Sequence, residues 1–195
     1  MKKIVIDPRV IKHLGRDLIT SPEVAVIELV KNSIDAKAKH INLRLYNNYS
    51  HYESLPNYVR AAIPKQYLDL PMLIVEDDGR GMTNAALDDG FLKIATDIKT
   101  NEEGTLGEKG IGRLATQRLG TALLVETSSV EESQTSYVFI DWNDVINGVE
   151  EVPNFEGPAT PHHTRLIIFN VNLEDYIDNA MQAVVLGQLK RTGSN

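Results

Sequence analysis

The residues whose types and spacing bear on chemistry fall in four short segments. Glu28, Asn32 and Asp35 stand in Glu28-Leu-Val-Lys-Asn32-Ser-Ile-Asp35-Ala36. At helical spacing these three share one face, about a turn apart. A carboxylate, an amide and a second carboxylate then project together from a helix that is otherwise apolar. Taken alone, that arrangement is more readily a solvated polar stripe.

The second segment, Glu76-Asp77-Asp78-Gly79-Arg80-Gly81-Met82, follows an apolar run. Glycine there permits positive φ and lets a ligand approach the backbone closely. An ionised Asp77 only accepts hydrogen bonds, so it suits an exocyclic amine, which adenine offers and guanine does not offer on the same edge. A tight acidic turn is the plainer reading. A calcium loop does not fit, because the alternating Asx residues and the Glu at the twelfth position are missing.

In the third segment, glycines from Gly104 to Gly112 lead into a predicted helix, with Lys109 and Arg113 among them. Free amides and the helix dipole both favour a phosphate at such a place. The dinucleotide fingerprint fails here, since a polar loop precedes Gly110 where a strand is required. A P-loop fails too, since Lys109 precedes Gly110 instead of following a glycine and preceding Ser or Thr. The fourth segment is Thr164, opening the apolar strand Leu166-Ile-Ile-Phe169; by itself it is an ordinary strand-start threonine.

These residues need elements to position them. Thr20-Ser21-Pro22-Glu23 starts a helix that runs to about Ala38, with hydroxyl caps, proline and an early carboxylate. Ile41 to Leu45 alternates and predicts a strand exposed on one side. Residues 47–70 are polar, rich in tyrosine and interrupted by two prolines, which predicts an insertion with at most a short helix. Met72 to Val75 is a buried strand, and Thr83 caps a helix through about Ile94. Residues 96–112 are too polar and glycine-rich to pack and predict a mobile loop. A helix over 113–119 stops at Gly120. Strands follow at about 121–128, 136–141 and 164–171, then a closing helix at about 174–190. The mixed order, with hairpin-length links late in the chain, predicts an α+β fold: a mainly antiparallel sheet layered on helices.

The bulk numbers bound the function. A length of 195 residues fits one domain. A formal net charge of −7 argues against a surface that grips nucleic acid, although a local basic patch remains compatible with it. The absence of cysteine removes disulfides, thiol catalysis and cysteine-ligated zinc. No apolar run approaches the ~18 residues that span a bilayer, and the start lacks the apolar core of a secretory signal. A cytoplasmic setting is the default expectation, and the ending at Arg191-Thr-Gly-Ser-Asn reads as a piece of a longer protein.

Together the segments resemble the GHKL ATPases, which include gyrase B, the ninety-kilodalton heat-shock chaperone, histidine kinases and MutL. The motif Glu-x-x-x-Asn-x-x-Asp-Ala is matched by Glu28, Asn32, Asp35 and Ala36. The Asp-x-Gly-x-Gly box is matched by Asp77, Gly79 and Gly81, and Met82-Thr83 continues as in the chaperone. The second glycine box is similar to Gly107, Lys109, Gly110, Ile111 and Gly112. The resemblance spans roughly residues 20–170 and implies a two-layer sandwich of the Bergerat type, a mixed, mainly antiparallel sheet with helices on one face.

The resemblance also implies ATP and Mg²⁺ as ligands. Glu28 would be the general base that polarises the attacking water, and Asn32 would hold the metal. Asp77 would accept the adenine amine, Thr164 and Gly81 would help through a water, and Met82 would pack on the base. Residues 96–112 would form an ATP lid, assisted by Lys109 and Arg113. Hydrolysing relatives take a γ-phosphate lysine from a following transducer domain; in this chain Lys99 is the candidate substitute. Two further departures are His163 before Thr164, where the family often has glycine, and the 47–70 segment, which has no assigned counterpart.

The implied activity is ATP hydrolysis driving a conformational cycle, with a nucleotide-gated homodimer in a larger chaperone-like protein. One alternative is a histidine kinase catalytic domain, which usually carries asparagine where Glu28 stands and lacks the Asp35-Ala36 pair. Another is a nucleotide-binding module that never hydrolyses.

Overall fold

The computed structural model describes residues 1–6, 21–49, 55–94, 114–172 and 174. In chain order its strands are β1 (Lys2–Lys3), β2 (Val5–Ile6), β3 (Ile41–Tyr46), β4 (Met72–Asp77), β5 (Lys93–Ile94), β6 (Ala122–Ser128), β7 (Gln134–Asp141), β8 (Glu151–Val152), β9 (Asn154–Pro158) and β10 (His163–Phe169). The helices are α1 (Pro22–Asp35), α2 (Asn57–Ala62), α3 (Lys65–Leu68), α4 (Ala115–Leu119) and α5 (Trp142–Ile146). Of the expected closing helix at 174–190 only residue 174 is described, and the loop at 96–112 lies outside the described residues.

Six strands form an open sheet in the order β3-β4-β10-β6-β7-β9, every neighbour antiparallel. Two short pairings flank it. The antiparallel β1–β8 and parallel β2–β5 ladders run the first six residues past Val152 and then past the segment ending at Ile94. Lys2 also pairs with Asp88 at 2.8 Å.

The central strands are apolar at nearly every position because both sheet faces are covered. Leu73, Val75, Leu123, Val125, Val138, Ile140, Leu166 and Ile168 point to one core, with Ala25, Val26 and Leu29 of α1 and Leu114, Ala115 and Leu119 around α4. The alternate residues Met72, Ile74, Ala122, Leu124, Tyr137, Phe139, Ile167 and Phe169 point to a second core. A period of two assigns successive side chains to opposite faces, so a doubly covered strand shows no polar alternation.

The α/β layering is as expected. The second core is closed by Tyr49, Leu55, Val59, Ile63 and Tyr67, all from the 47–70 segment. That segment forms two short helices, not the single one expected at most. It is the cover of the back face.

Sequence rules account for the best-formed helix. Pro22 occupies the first turn of α1, Glu23 stands near its positive end, and Ser21 Oγ accepts the Val24 amide at 3.4 Å. The helix expected from Thr83 to Ile94 is instead π-helical over Ala86–Phe91, then gives way to β5. Leu87 and Leu92 are both fully buried, and the Leu92 amide bonds the Leu87 carbonyl. The wider i→i+5 turn lets two leucines five residues apart reach one core, which an α-helix would not.

At the opposite end of the sheet from Asp77, Asp141 caps α5 and the Trp142 amide donates to Thr121 O. The Trp142 indole is buried in the first core, its Nε1 without a partner among the described residues. Among the described residues no helix is long and apolar enough to cross a membrane.

Candidate nucleotide site

The site is built where α1 meets the glycine turn after β4. Helix α1 ends beside that turn: the Arg80 amide donates to Ala36 O at 2.9 Å. The Asp78 carboxylate accepts the backbone amides of Lys39 and His40 at 2.7 and 2.8 Å and also bonds His40 Nδ1 at 2.7 Å. Those bonds hold the Asp78 carboxyl below the usual carboxylate range. Sequence-distant parts are thereby fixed together, with α1 on one side and Asp77 on the other.

A cavity of about 430 Å³ opens between them. Glu28, Asn32 and Asp35 all line it from α1, so the expected shared face exists. Asp77, Gly81, Met82 and Thr164 line it from the sheet side, and Leu29, Ala86, Phe91 and Leu166 make it partly apolar. Gly79 is not on the wall; its amide donates to Asp77 Oδ1 at 2.9 Å. Lys99, Gly107, Lys109, Gly110, Ile111, Gly112 and Arg113 lie outside the described residues.

Asp77 is set by sheet register. It pairs with Ile41 on β3 and Thr164 on β10, and Thr164 pairs in turn with Thr127 on β6. Its side chain is buried, with Oδ2 accepting Ser33 Oγ at 2.8 Å. Burial pushes the Asp77 carboxyl up, and the Gly79 amide and Ser33 hydroxyl only partly counter it. A carboxylate has about four acceptor sites, so two bonds leave capacity for a ligand amine.

The two glycines of the turn are sterically required. Gly81 has φ of +68°, and an added Cβ would collide with the Ser128 carbonyl. A Cβ on Gly79 would press on Asp77 Oδ1 and Ala36.

Two residues of the site were not singled out from the sequence. Ser33 was hidden on the buried face of α1, where a serine among apolar residues is the available signal. Thr127 carries no local signal at all. Its Oγ1 accepts the Met82 amide at 2.9 Å, donates to His163 O at 3.0 Å and lies 3.3 Å from Thr164 Oγ1. The segment after Gly81 is tied further by Ser136 Oγ donating to Asn84 Oδ1 and the Asn84 amide donating to Glu132.

Behind this row lies a row of alternating charge. Arg165 donates to Glu126 and Glu76, and Arg44 also pairs with Glu76. Burial opposes charge on Glu76, yet the two guanidinium groups outweigh it and hold the carboxyl low. His163 Nε2 sits 3.1 Å from Glu126 and its Nδ1 2.8 Å from Pro161 O. Burial disfavours the imidazolium, but these acceptors prevail and raise the His163 pKa. Opposite charges facing across strands fix register next to the Asp77 row.

A family model described as histidine kinase-, DNA gyrase B-, and HSP90-like ATPase matches residues 19–163. Among solved structures, the crystal structure of an N-terminal domain of a DNA repair protein is similar in fold, with a TM-score of 0.50 and 20% identity. The match covers 93% of this chain and 44% of that one, so this chain spans less than half of that neighbour's length. No curated protein sequence matches the chain.

Proposed function

Because the chain belongs to the histidine kinase-, DNA gyrase B- and HSP90-like ATPase family, we propose that it binds ATP with Mg²⁺ and hydrolyses it. The observation that carries this reading is that Glu28 and Asn32, one helical turn apart, line the same cavity as the buried Asp77. Asp77 accepts the adenine amine, and Ser33 and Gly79 orient it. Met82, Phe91 and Leu166 supply apolar contact, within a volume usual for small-ligand sites.

The donor set fits Mg²⁺. Asn32 offers a hard oxygen and Asp35 stands beside it on the wall. Among the described residues no cluster of three or more His, Asp or Glu could hold a metal. Magnesium needs none, since it takes one or two protein oxygens together with water and phosphates. When bound it supplies charge neutralisation across the phosphates. The described wall carries Glu28, Asp35 and Asp77 against Lys31 alone, so a polyanion enters there more readily with a cation.

Glu28 acts as general base. Water oxygen bonds the γ-phosphorus as the bond from phosphorus to the β–γ bridging oxygen breaks, and the water proton passes to Glu28. ADP and phosphate leave, and Glu28 returns the proton to solvent. In this reading turnover drives a conformational cycle, with two copies closing on nucleotide in a larger chaperone-like protein.

The test separates binding from chemistry. Glu28→Ala should keep ATP affinity and lose about 10²–10⁴-fold in phosphate release. Asn32→Ala should lose Mg²⁺-dependent affinity as well. Calorimetry and phosphate release are read on the same samples. Wild-type turnover by Glu28→Ala would remove Glu28 from the mechanism.

A further inference from the structure

Lys31 Nζ lies 2.6 Å from Oε1 of Glu28, and both side chains line the nucleotide cavity. Among the described lining residues Lys31 is the one cation. The pair is spaced i,i+3 with side chains 53% and 33% exposed. Pairs so open to water add little to stability, so its value lies in where it holds the carboxylate. A glutamate on a half-exposed helical face has several rotamers open to it, and a charge-assisted bond to one oxygen restricts them. Glu28 Oε2 has no partner among the described residues. A base needs one oxygen held and the other available to water at hydrogen-bond reach.

We propose that Lys31 is a positioning residue for the base: it fixes the Glu28 carboxylate through Oε1 and leaves Oε2 for the attacking water. This rests on the reading of Glu28 as the base of an ATPase. Lys31 is the only described cation able to do this from the same helix as both Glu28 and Asn32, so the proton acceptor, its clamp and the metal-side amide move as one rigid element. Misplacing a catalytic group lowers turnover without a matching loss of substrate binding.

Three variants test it: Lys31→Met, Lys31→Arg, and Lys31→Met combined with Glu28→Gln. Affinity for Mg-ATP and phosphate release are measured on each. Lys31→Met should lower kcat by about 10-fold while Kd stays within about 2-fold, and Lys31→Arg should restore most of the rate. In the Glu28→Gln background, Lys31→Met should cause no further loss. Affinity falling in step with rate would overturn the proposal, because Lys31 would then serve the phosphates. So would failure of arginine to restore the rate, or an added loss without Glu28. The ¹⁵N ammonium signal of Lys31 tests the pair without turnover: it should be sharp in the unchanged chain and broadened by Glu28→Gln, and indifference to that change also overturns it. An unchanged chain that neither binds Mg-ATP nor releases phosphate sinks the ATPase reading instead, whatever the ammonium signal shows.

Discussion

The Asp77 carboxyl sits where burial disfavours its charge. Burial raises its pKa above the ordinary 3.8, so folding tolerates the neutral acid better than the charged one. The stability that protonation confers is complete below the unfolded value and is lost as pH rises through the folded one. At neutral pH the charged carboxylate therefore weakens the fold. Asp77→Asn keeps the shape and an oxygen for the Gly79 amide while removing the charge. The expected outcome is an unchanged or higher Tm together with ATP affinity weaker by about 1–3 kcal/mol, as an amide donor meets the adenine amine. Melting and calorimetry on one preparation check this; a lowered Tm with ATP affinity intact would make Asp77 a structural residue. Asp77 was legible in the sequence because its glycine turn is local. Ser33 and Thr127 were not, because their roles exist only once α1, β4, β6 and β10 lie side by side.

At the scale of elements, local signals were readable and non-local ones were not. Ser21-Pro22-Glu23 marks the start of α1 within the chain itself. The two-residue ladders β1–β8 and β2–β5 join residues far apart in sequence, and so short a strand leaves no period to read. The 47–70 segment held a signal that its composition obscured. Leu55, Val59, Ile63 and Tyr67 recur every four residues, but Pro56 and Pro64 break the run into pieces too short to read as a helix. The buried pieces pack on Phe139 and Phe169, where Tyr67 makes tilted ring contacts at 5.9 and 6.1 Å. Tyr67 also donates to Asp141 at 2.6 Å, and burial with that bond pushes its pKa up to about 12. Ile63 is 3% exposed, so Ile63→Ala should cost about 2–5 kcal/mol of stability. Denaturant melts should show that loss, while nucleotide affinity of the folded fraction stays unchanged. A mild effect on stability would return the segment to the status of an appendage.

For the whole molecule, the charge row behind the site, together with Asp78, makes stability depend on pH. His163 is raised above its ordinary 6.5 in the fold, so its contribution is complete below about that pH and is lost as pH rises through the raised value. Glu76 is lowered from 4.5 and Asp78 from 3.8, so their contributions hold above those values and are lost as pH falls through the lowered ones. Tm scanned from about pH 5 to about pH 9 should therefore decline on the alkaline side of His163, and His163→Gln should flatten that decline. An identical slope in the variant would assign the decline to another group. The same scan has a built-in optical reporter. Trp142 is the single tryptophan, buried in the first core at the sheet end remote from Asp77, with its indole N–H unpaired among the described residues. An indole in so apolar a setting emits toward the blue and shifts red when the core opens to water. Its colour follows unfolding, and because the indole is not on the wall of the candidate cavity, one chromophore reads the stability of the core from outside the site.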